Sequence, residues 1–229
     1  MTHCQSENNF PAIGLAWTAP NPLDCQLQTD RLIIRAYRLD DAEEVYNAIN
    51  ESRENHLLPW MPWAKDNHRT LESTTKYICE QMLALANPDT FKEVGTAIFD
   101  KQTNRFLGGS GIHDIRTDTA SCETGYWIRK DATGNGYATE ACARTISWAL
   151  SPQSPQAPQA NNGLGLHRVR IYCSGANAPS VKTVEKLNIK KEVHQRKDYC
   201  IQTLGPTDRL GWGVMHNEWD CKNHRALSQ

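Results

Sequence analysis

Residues 123–141 read ETGYWIRKDATGNGYATEA, and this stretch decides the fold. Glu123–Ile128 has the pattern of a strand, a short polar connection follows, and Gly134 and Gly136 precede a helix predicted from about Tyr137. Glycine lets the backbone approach a ligand closely, and free amides at a helix N-terminus attract anions. The stretch therefore predicts an anion-binding site between a strand and a helix.

Two common phosphate-binding motifs fit this stretch poorly. A P-loop needs a lysine directly after its glycines, and none follows Gly136. A dinucleotide fingerprint needs glycine or alanine where Thr139 stands, and an acidic residue about 20 positions further on, where a proline- and glutamine-rich segment lies instead. A nicotinamide-dependent oxidoreductase therefore stays only as an alternative.

Outward from this stretch, the chain alternates between strand and helix patterns. Leu71, Ile78, Met82 and Leu85 define the predicted apolar face of one helix, which ends before Pro88. Strands are predicted at 31–37, 94–99, 106–112, 122–128, 168–172 and around 210–214, and helices from about 40, at 71–86, from about 137 and at 179–187. Strands flanked by helices on a mixed sheet predict an α/β or α+β architecture.

Composition divides the chain into three parts. Residues 1–26 are rich in Asn, Pro and Gln and are expected to form an irregular lead-in. Residues 27–220 are expected to form a single domain, in which residues 151–163 are an exposed Pro/Gln-rich insertion. Residues 221–229 are expected to form a C-terminal tail.

Five short segments, in order along the chain, resemble one family. They are Thr29–Leu32, Leu107–Gly109, Glu123–Ile128, Gly136–Ala141, and Asn177–Ser180 together with Glu185–Leu187. From about residue 29 to 220 the sequence resembles the GNAT N-acetyltransferases of the RimJ/RimL branch, which acetylate the N-termini of ribosomal proteins. The resemblance implies a GNAT fold, with a mixed, mostly antiparallel central sheet flanked by helices.

The resemblance also implies acetyl-CoA as a co-substrate. Thr133–Ala138 corresponds to the family's Q/R-x-x-G-x-G/A pyrophosphate loop, with Thr133 where Gln or Arg is usual. Asn188 follows Leu187 where the family usually has Gly, a mild departure because Asn tolerates a left-handed helix C-cap. The implied coenzyme-binding residues are Tyr126, Trp127 and Ile128 of the strand, Gly134, Asn135, Gly136, Tyr137, Ala138 and Thr139 of the loop and helix start, Asn177 and Lys186.

Catalysis needs a proton acceptor for the amine and a proton donor for the departing thiolate. By resemblance, Ser180 is the donor, and Asn177 hydrogen-bonds the pantetheine arm; helix capping by both is the competing interpretation. Glu123 is the first candidate base, because it lies on the strand beside the predicted centre, and a solvated strand-end carboxylate is the alternative. His113 and Asp114 are held in reserve.

The acceptor amine is less constrained by the sequence. Trp60 and Trp63 lie on a proline-rich loop near Glu51, Glu54 and Asp66. The two tryptophans are predicted, with His113, to bind the acceptor. Tryptophans at this place would also suit the edge of the core. A protein N-terminus would need an open groove. A small amine, such as an aminoglycoside or polyamine, would favour a closed pocket with carboxylates and aromatics. A non-catalytic acyl-CoA-binding module is a further alternative.

Composition limits the class of protein. The 229 residues carry a formal net charge of −1, which argues against a nucleic-acid partner held by a strong basic field. No run of 18 apolar residues predicts a membrane span, and the first ten residues lack the features of a signal peptide, so we expect a cytoplasmic protein. The eight cysteines are expected to be free thiols. No metal site is expected, because Cys221 and His224 form the only closely spaced pair of ligands.

Overall fold

The computed structural model describes residues 17–19, 25–86, 93–153, 163–201 and 204–220. They form an eight-stranded sheet in the order β1-β2-β3-β4-β5-β6-β8-β7. Every neighbouring pair of strands is antiparallel except β5 and β6. The strands are β1 Gln26–Gln28, β2 Leu32–Ala36, β3 Val94–Asp100, β4 Phe106–Arg116, β5 Ser121–Ile128, β6 Arg168–Ser174, β7 Lys190–Ile201 and β8 Gly205–Met215. The predicted mixed, mostly antiparallel sheet is confirmed.

Helices pack against this sheet and shield two buried apolar clusters. They are α1 Ala42–Ser52, α2 Leu71–Ala86, α3 Tyr137–Leu150 and α4 Ala178–Glu185. One cluster joins α1 and α2 to the sheet through residues such as Val45, Ile78 and Phe99. The other includes Ile146 of α3 and Val169 of β6. Burying each such side chain contributes roughly 1.5–3 kcal/mol, which offsets the entropy lost on ordering the chain.

The predicted bounds of α2 are confirmed, and Ile78 and Leu85 of its predicted apolar face do pack inward, but Leu71 and Met82 do not. Leu71 is 44% exposed and Met82 is 40% exposed, whereas Thr74, Ile78 and Gln81 are buried. The buried polar residues of α2 have partners: Gln81 Oε1 accepts from the Gly95 N–H at 2.7 Å. Specific hydrogen bonds, which periodicity does not reveal, therefore set the orientation of α2.

The parallel pairing of β5 and β6 stops halfway along both strands. Ser121–Glu123 pair with Arg168–Arg170, after which β5 continues to Ile128 and β6 to Ser174 without pairing to each other. The strands diverge there, and α4 begins a few residues after β6. This divergence opens a cleft beside the second half of β5.

The predicted division of the chain falls partly outside the described residues: 1–16, 20–24, 154–162 and 221–229 are not described. The domain boundaries therefore stay a prediction. Trp17 nevertheless belongs to the buried core, and its indole Nε1 donates to the Leu164 carbonyl at 2.6 Å. Strands β1 and β7 were not predicted. None of the described helices combines the length and apolar character that a membrane span requires.

Candidate active site

The glycine-containing turn before α3 adopts the backbone that glycine favours. Gly134 has φ of +81° and Gly136 has φ of +82°, both in the left-handed region. Gly136 is the N-cap of α3, so the amides of Tyr137, Ala138 and Thr139 begin the helix. The first amides of a helix have no intrahelical acceptor, and the helix dipole adds partial positive charge there. The turn is therefore built to receive an anion.

A buried carboxylate holds this turn in place. Glu140 of α3 is 6% exposed. Its Oε1 accepts from Thr29 Oγ1 at 2.5 Å and from the Arg31 N–H at 3.2 Å, and its Oε2 accepts from Arg31 Nε at 2.7 Å. Arg31 Nη1 in turn donates to the Asn135 carbonyl at 3.0 Å. Thus two of the segments that carry the family resemblance, Thr29–Leu32 and Gly136–Ala141, are joined through Glu140.

The backbone of β5 presents polar groups to the cleft. The Arg129 N–H donates to the Leu107 carbonyl at 2.8 Å, which fixes the residues of β5 that face β4. Because peptide groups alternate in an antiparallel pair, those of Tyr126 and Ile128 point to the opposite side, where β6 has diverged. His56 Nε2 donates to the Ile128 carbonyl at 2.8 Å and bounds this side of the cleft.

A basic cavity of about 300 Å³ runs along this face of β5 to the glycine turn. All of the residues predicted to bind the coenzyme line it except Asn135, whose carbonyl accepts from Arg31 and whose side chain donates to Ala132 O at 3.1 Å. Lys182, which was not predicted, also lines the cavity beside Lys186. Among the described lining residues both full charges are positive, so the cavity suits a ligand with several negative charges.

An acidic cavity of about 530 Å³ lies on the other side of Tyr126. It is lined by four of the predicted site residues, Trp60, Trp63, His113 and Glu123. It also contains residues that were missed, including His68, Tyr77, Glu93, Tyr172 and Tyr199. Its described lining has two Glu and no Lys or Arg. Aromatic walls and carboxylates attract cations.

The two cavities meet at a small shared set of residues: Trp60, Met61, Tyr126, Trp127, Asn177 and Ser180. At this junction the Tyr126 hydroxyl lies 3.2 Å from Ser180 Oγ and 3.3 Å from the Ser180 carbonyl. Burial raises the pKa of Tyr126 above its usual value, so its hydroxyl keeps its proton at neutral pH. Asn177 Oδ1 accepts from the Ser180 N–H at 3.2 Å, so Asn177 does cap α4.

Glu123 and His113 are neighbours across β4 and β5. His113 Nε2 lies 3.4 Å from Glu123 Oε1. The hydrogen bond to Glu123 raises the pKa of His113, against the opposing effect of its partial burial. Asp114, the other reserve candidate, instead pairs with Arg170 at 3.0 Å and Arg116 at 3.1 Å, and it does not line either cavity.

The tryptophan loop is fixed by a buried arginine. Arg53 donates to the carbonyls of Ala64, Asn67 at 3.1 Å and His68 at 2.7 Å. Burial lowers the pKa of His68 to about 4, so its imidazole is neutral at neutral pH. Trp63 packs against Trp127 with ring centroids 6.0 Å apart, which brings the loop onto β5.

The acidic residues near the tryptophan loop do not line either cavity. Glu51 pairs with Arg129 at 2.8 Å and so ties the end of α1 to the end of β5. Glu51, Glu54 and Asp66 are absent from the described lining of both cavities. Within the described residues no group of three His, Cys, Asp or Glu could hold a metal ion, and Cys221 and His224 lie outside them. The expected absence of a metal stays a prediction.

A strand pair that diverges beside a glycine-capped helix, with a basic and an acidic cavity meeting at the cleft, is the arrangement expected of a group transferase with an anionic donor. The family model described as acetyltransferase (GNAT) domain matches residues 31–190. The chain belongs to the GNAT acetyltransferase family, and it is an acyltransferase.

Individual relatives agree with this assignment. The chain is 24% identical over 189 residues to the uncharacterized N-acetyltransferase YoaA of Bacillus subtilis (strain 168), covering 82% of this chain and 96% of YoaA. The ribosomal-protein-S5-alanine acetyltransferase of Vibrio fischeri shares the fold, with a TM-score of 0.69, 22% identity and coverage of 86% and 100%. RimJ of Mycobacterium smegmatis, in complex with CoA-disulfide, also has a TM-score of 0.69, with 19% identity and coverage of 90% and 93%.

Proposed function

We propose that the protein transfers the acetyl group of acetyl-CoA directly to a primary amine, with the α-amine of a protein N-terminus as the first acceptor to test. The observation that carries the proposal is the junction of the basic and acidic cavities at Tyr126 and Ser180. Opposite charges on the two sides suit a polyanionic donor and a cationic acceptor. Holding both substrates across one junction supplies much of the rate.

The proposed coenzyme site uses backbone amides and two lysines. The amides at the start of α3 bind the pyrophosphate, and Lys182 and Lys186 add positive charge beside it. Asn177 and the free side of β5 hold the pantetheine arm. A β5 backbone N–H facing the cleft donates to the thioester carbonyl where negative charge develops.

Proton transfer is assigned to residues on the two sides of the junction. Glu123, hydrogen-bonded to His113, accepts a proton from the ammonium group of the acceptor, directly or through water. Ser180 donates to the departing thiolate sulfur, and the protonated Tyr126 hydroxyl at 3.2 Å supports that donation. The helix cap at Asn177 fixes Ser180 in place through its N–H.

The acceptor class has two supported candidates. The fold similarity to RimJ and to the S5-alanine acetyltransferase supports a protein N-terminus. The carboxylates and aromatic side chains of the acidic cavity support a small amine, such as a polyamine or aminoglycoside. The size of the cavity, about 530 Å³, accommodates either a small amine or the first residues of a peptide. A cytoplasmic location is part of the proposal.

A mass-spectrometric transfer assay tests the proposed function. Acetyl-CoA is incubated with peptides that begin with Ser, Ala or Thr, with aminoglycosides and with polyamines, and Ser180→Ala is run in parallel. Acetylation of peptide N-termini supports a protein N-terminus as the acceptor. Acetylation of small amines alone supports a small-amine acceptor instead. Coenzyme binding without transfer to any acceptor favours a non-catalytic acyl-CoA-binding module. Stabilisation by NAD and not by acetyl-CoA in a thermal-shift assay would favour an oxidoreductase instead.

A further inference from the structure

Three side chains form a row across the sheet at one end of the acidic cavity. Val94 of β3 pairs with Ile112 of β4, so the preceding Glu93 stands at the level of His113. His113 pairs with Glu123 of β5. Directly opposed residues of neighbouring strands present their side chains on the same face of a sheet. Glu93, His113 and Glu123 all line the cavity accordingly.

Within the described part of the chain, His113 is the cationic side chain that these carboxylates meet. Among the described residues, no Lys or Arg forms an ion pair with Glu93 or Glu123. Glu93 is exposed to the cavity and acts electrostatically on both Tyr77 and His113. Glu123 serves the proposed proton transfer, whereas Glu93 has no role in it.

We infer that Glu93 is a specificity residue, which binds a second positive charge on the acceptor, so that the enzyme prefers amines carrying another ammonium group near the reacting one. This inference rests on the proposed function. Tyr77 and Tyr172 line the same cavity, and aromatic side chains attract cations. The shared chemistry is a dication, either a linear polyamine or a peptide with lysine directly after its N-terminal residue.

Matched acceptor pairs isolate the second charge. The first pair is putrescine and n-butylamine, and the second is a peptide beginning Ser-Lys and one beginning Ser-norleucine. The wild type is expected to have kcat/KM at least about tenfold higher for the dication of one pair, the factor that a contact of about 1.4 kcal/mol provides. The pair that shows the preference identifies the source of the cation.

Variants then attribute the preference to Glu93. Glu93 is exposed, and Glu93→Gln keeps the shape of the side chain while it removes the charge. This variant is expected to lower kcat/KM for the dication about tenfold more than for its monocationic match. Glu80→Gln, on the exposed side of α2, is the control and keeps the wild-type preference. Equal kcat/KM for both members of each pair in the wild type, or an unchanged preference in Glu93→Gln, would overturn the inference.

A binding experiment separates this inference from the proposed function. Isothermal titration of the CoA-bound protein with spermidine measures the cation site without turnover. Spermidine binding that weakens about tenfold in Glu93→Gln, with no transfer to any acceptor, keeps the cation site and removes the proposed function. Transfer to amines with no dependence of either binding or selectivity on Glu93 keeps the proposed function and removes the cation site.

Discussion

The Tyr126 hydroxyl of β5 lies 3.2 Å from Ser180 Oγ of α4, across the cleft that opens where β5 and β6 part. The pair joins the two sides of the junction between the basic and acidic cavities. Burial raises the pKa of Tyr126, so the pair holds its protons at neutral pH. We propose these two hydroxyls as the proton donors for the departing thiolate.

Removing either hydroxyl is expected to lower kcat. Because a positioned general acid contributes roughly 10²–10⁴-fold, Ser180→Ala is expected to lower kcat by about a hundredfold and Tyr126→Phe by about tenfold. Since the two hydroxyls act as a unit, the double variant is expected to lose about as much as Ser180→Ala alone. Steady-state rates of all three variants measure this. Fully additive losses would show that the hydroxyls act independently.

Gly134 is expected to be needed for its backbone conformation. A Cβ at this position would meet no atom within 4 Å, so the cost of Gly134→Ala comes from the φ of +81° alone. The expected loss is about 1–2 kcal/mol of unfolding free energy, with weaker CoA binding. Urea denaturation and calorimetric titration with CoA measure both. Gly134→Asn is the matched control, because Asn tolerates the left-handed region; an equal loss in Gly134→Asn would contradict this explanation.

Charge on α4 is expected to contribute to coenzyme affinity. Lys182 and Lys186 line the basic cavity one helical turn apart. Replacing both with Ala is expected to raise the KM for acetyl-CoA several-fold and to weaken its dependence on salt, because exposed charges are screened at high ionic strength. Initial rates at low and high salt measure the effect. Lys190→Ala at the start of β7, outside the cavity lining, is the control. Unchanged KM in the double variant would exclude this role.

The pKa of His113 is expected to define an acidic limb of the activity profile. Glu123 raises the pKa of His113, so the imidazole gains its proton at a higher pH than an ordinary histidine does. Protonation of His113 partly neutralises the charge of Glu93 and Glu123 and holds Glu123 in an ion pair. We therefore expect kcat/KM for the amine to decrease when the pH is lowered below the pKa of His113. His113→Gln is expected to shift or remove this acidic limb of the profile.

The effect of the same group on stability has the opposite sign. A pKa that is raised on folding contributes stability that is fully present below the unfolded-state pKa and is lost as the pH rises through the folded-state value. Thermal denaturation of wild type and His113→Gln across this range checks the sign. A profile that does not change between the two proteins would contradict the His113 assignment.

Glu140 is expected to stabilise the glycine turn rather than to take part in chemistry. Glu140→Ala leaves Thr29 Oγ1 and the Arg31 N–H without this acceptor, and the loss costs about 1–3 kcal/mol for the buried Thr29 hydroxyl. Urea denaturation measures the loss. Glu80→Ala, on an exposed part of α2, is expected to change stability by less than about 0.5 kcal/mol. Equal effects of the two changes would remove Glu140 from this role.

Local patterns predicted the parts of the fold that local physics determines. Gly134 and Gly136 predicted the turn before α3, and the predicted limits of α2, Leu71 and Ala86, were confirmed. The face of α2 was predicted only in part: Ile78 is buried as predicted, whereas Leu71 and Met82 are exposed, and a hydrogen bond from the Gly95 N–H to Gln81 holds a polar residue inward. Strand β7 was missed because it pairs only with β8 at the sheet edge, where Lys190–Ile201 is mostly exposed and half of its residues are charged.

The candidate site was predictable where it lies on one continuous stretch. The β5 strand and the glycine turn are such a stretch, and motif resemblance added Asn177 and Ser180. Glu93, Tyr77 and Tyr199 were missed because they reach the acidic cavity from the position just before β3, from α2 and from β7, elements that are far apart in the sequence. No short-range pattern marks such residues.

The central claim is direct transfer between substrates bound on the two sides of the Tyr126–Ser180 junction. Initial rates with acetyl-CoA and the best acceptor both varied test it. We predict intersecting double-reciprocal lines, because both substrates must be bound at once. Cys173 also lines the acidic cavity, but burial raises the pKa of its thiol, which disfavours the nucleophilic thiolate. Parallel lines, together with acetyl-CoA-dependent acetylation of the enzyme at Cys173, would contradict direct transfer.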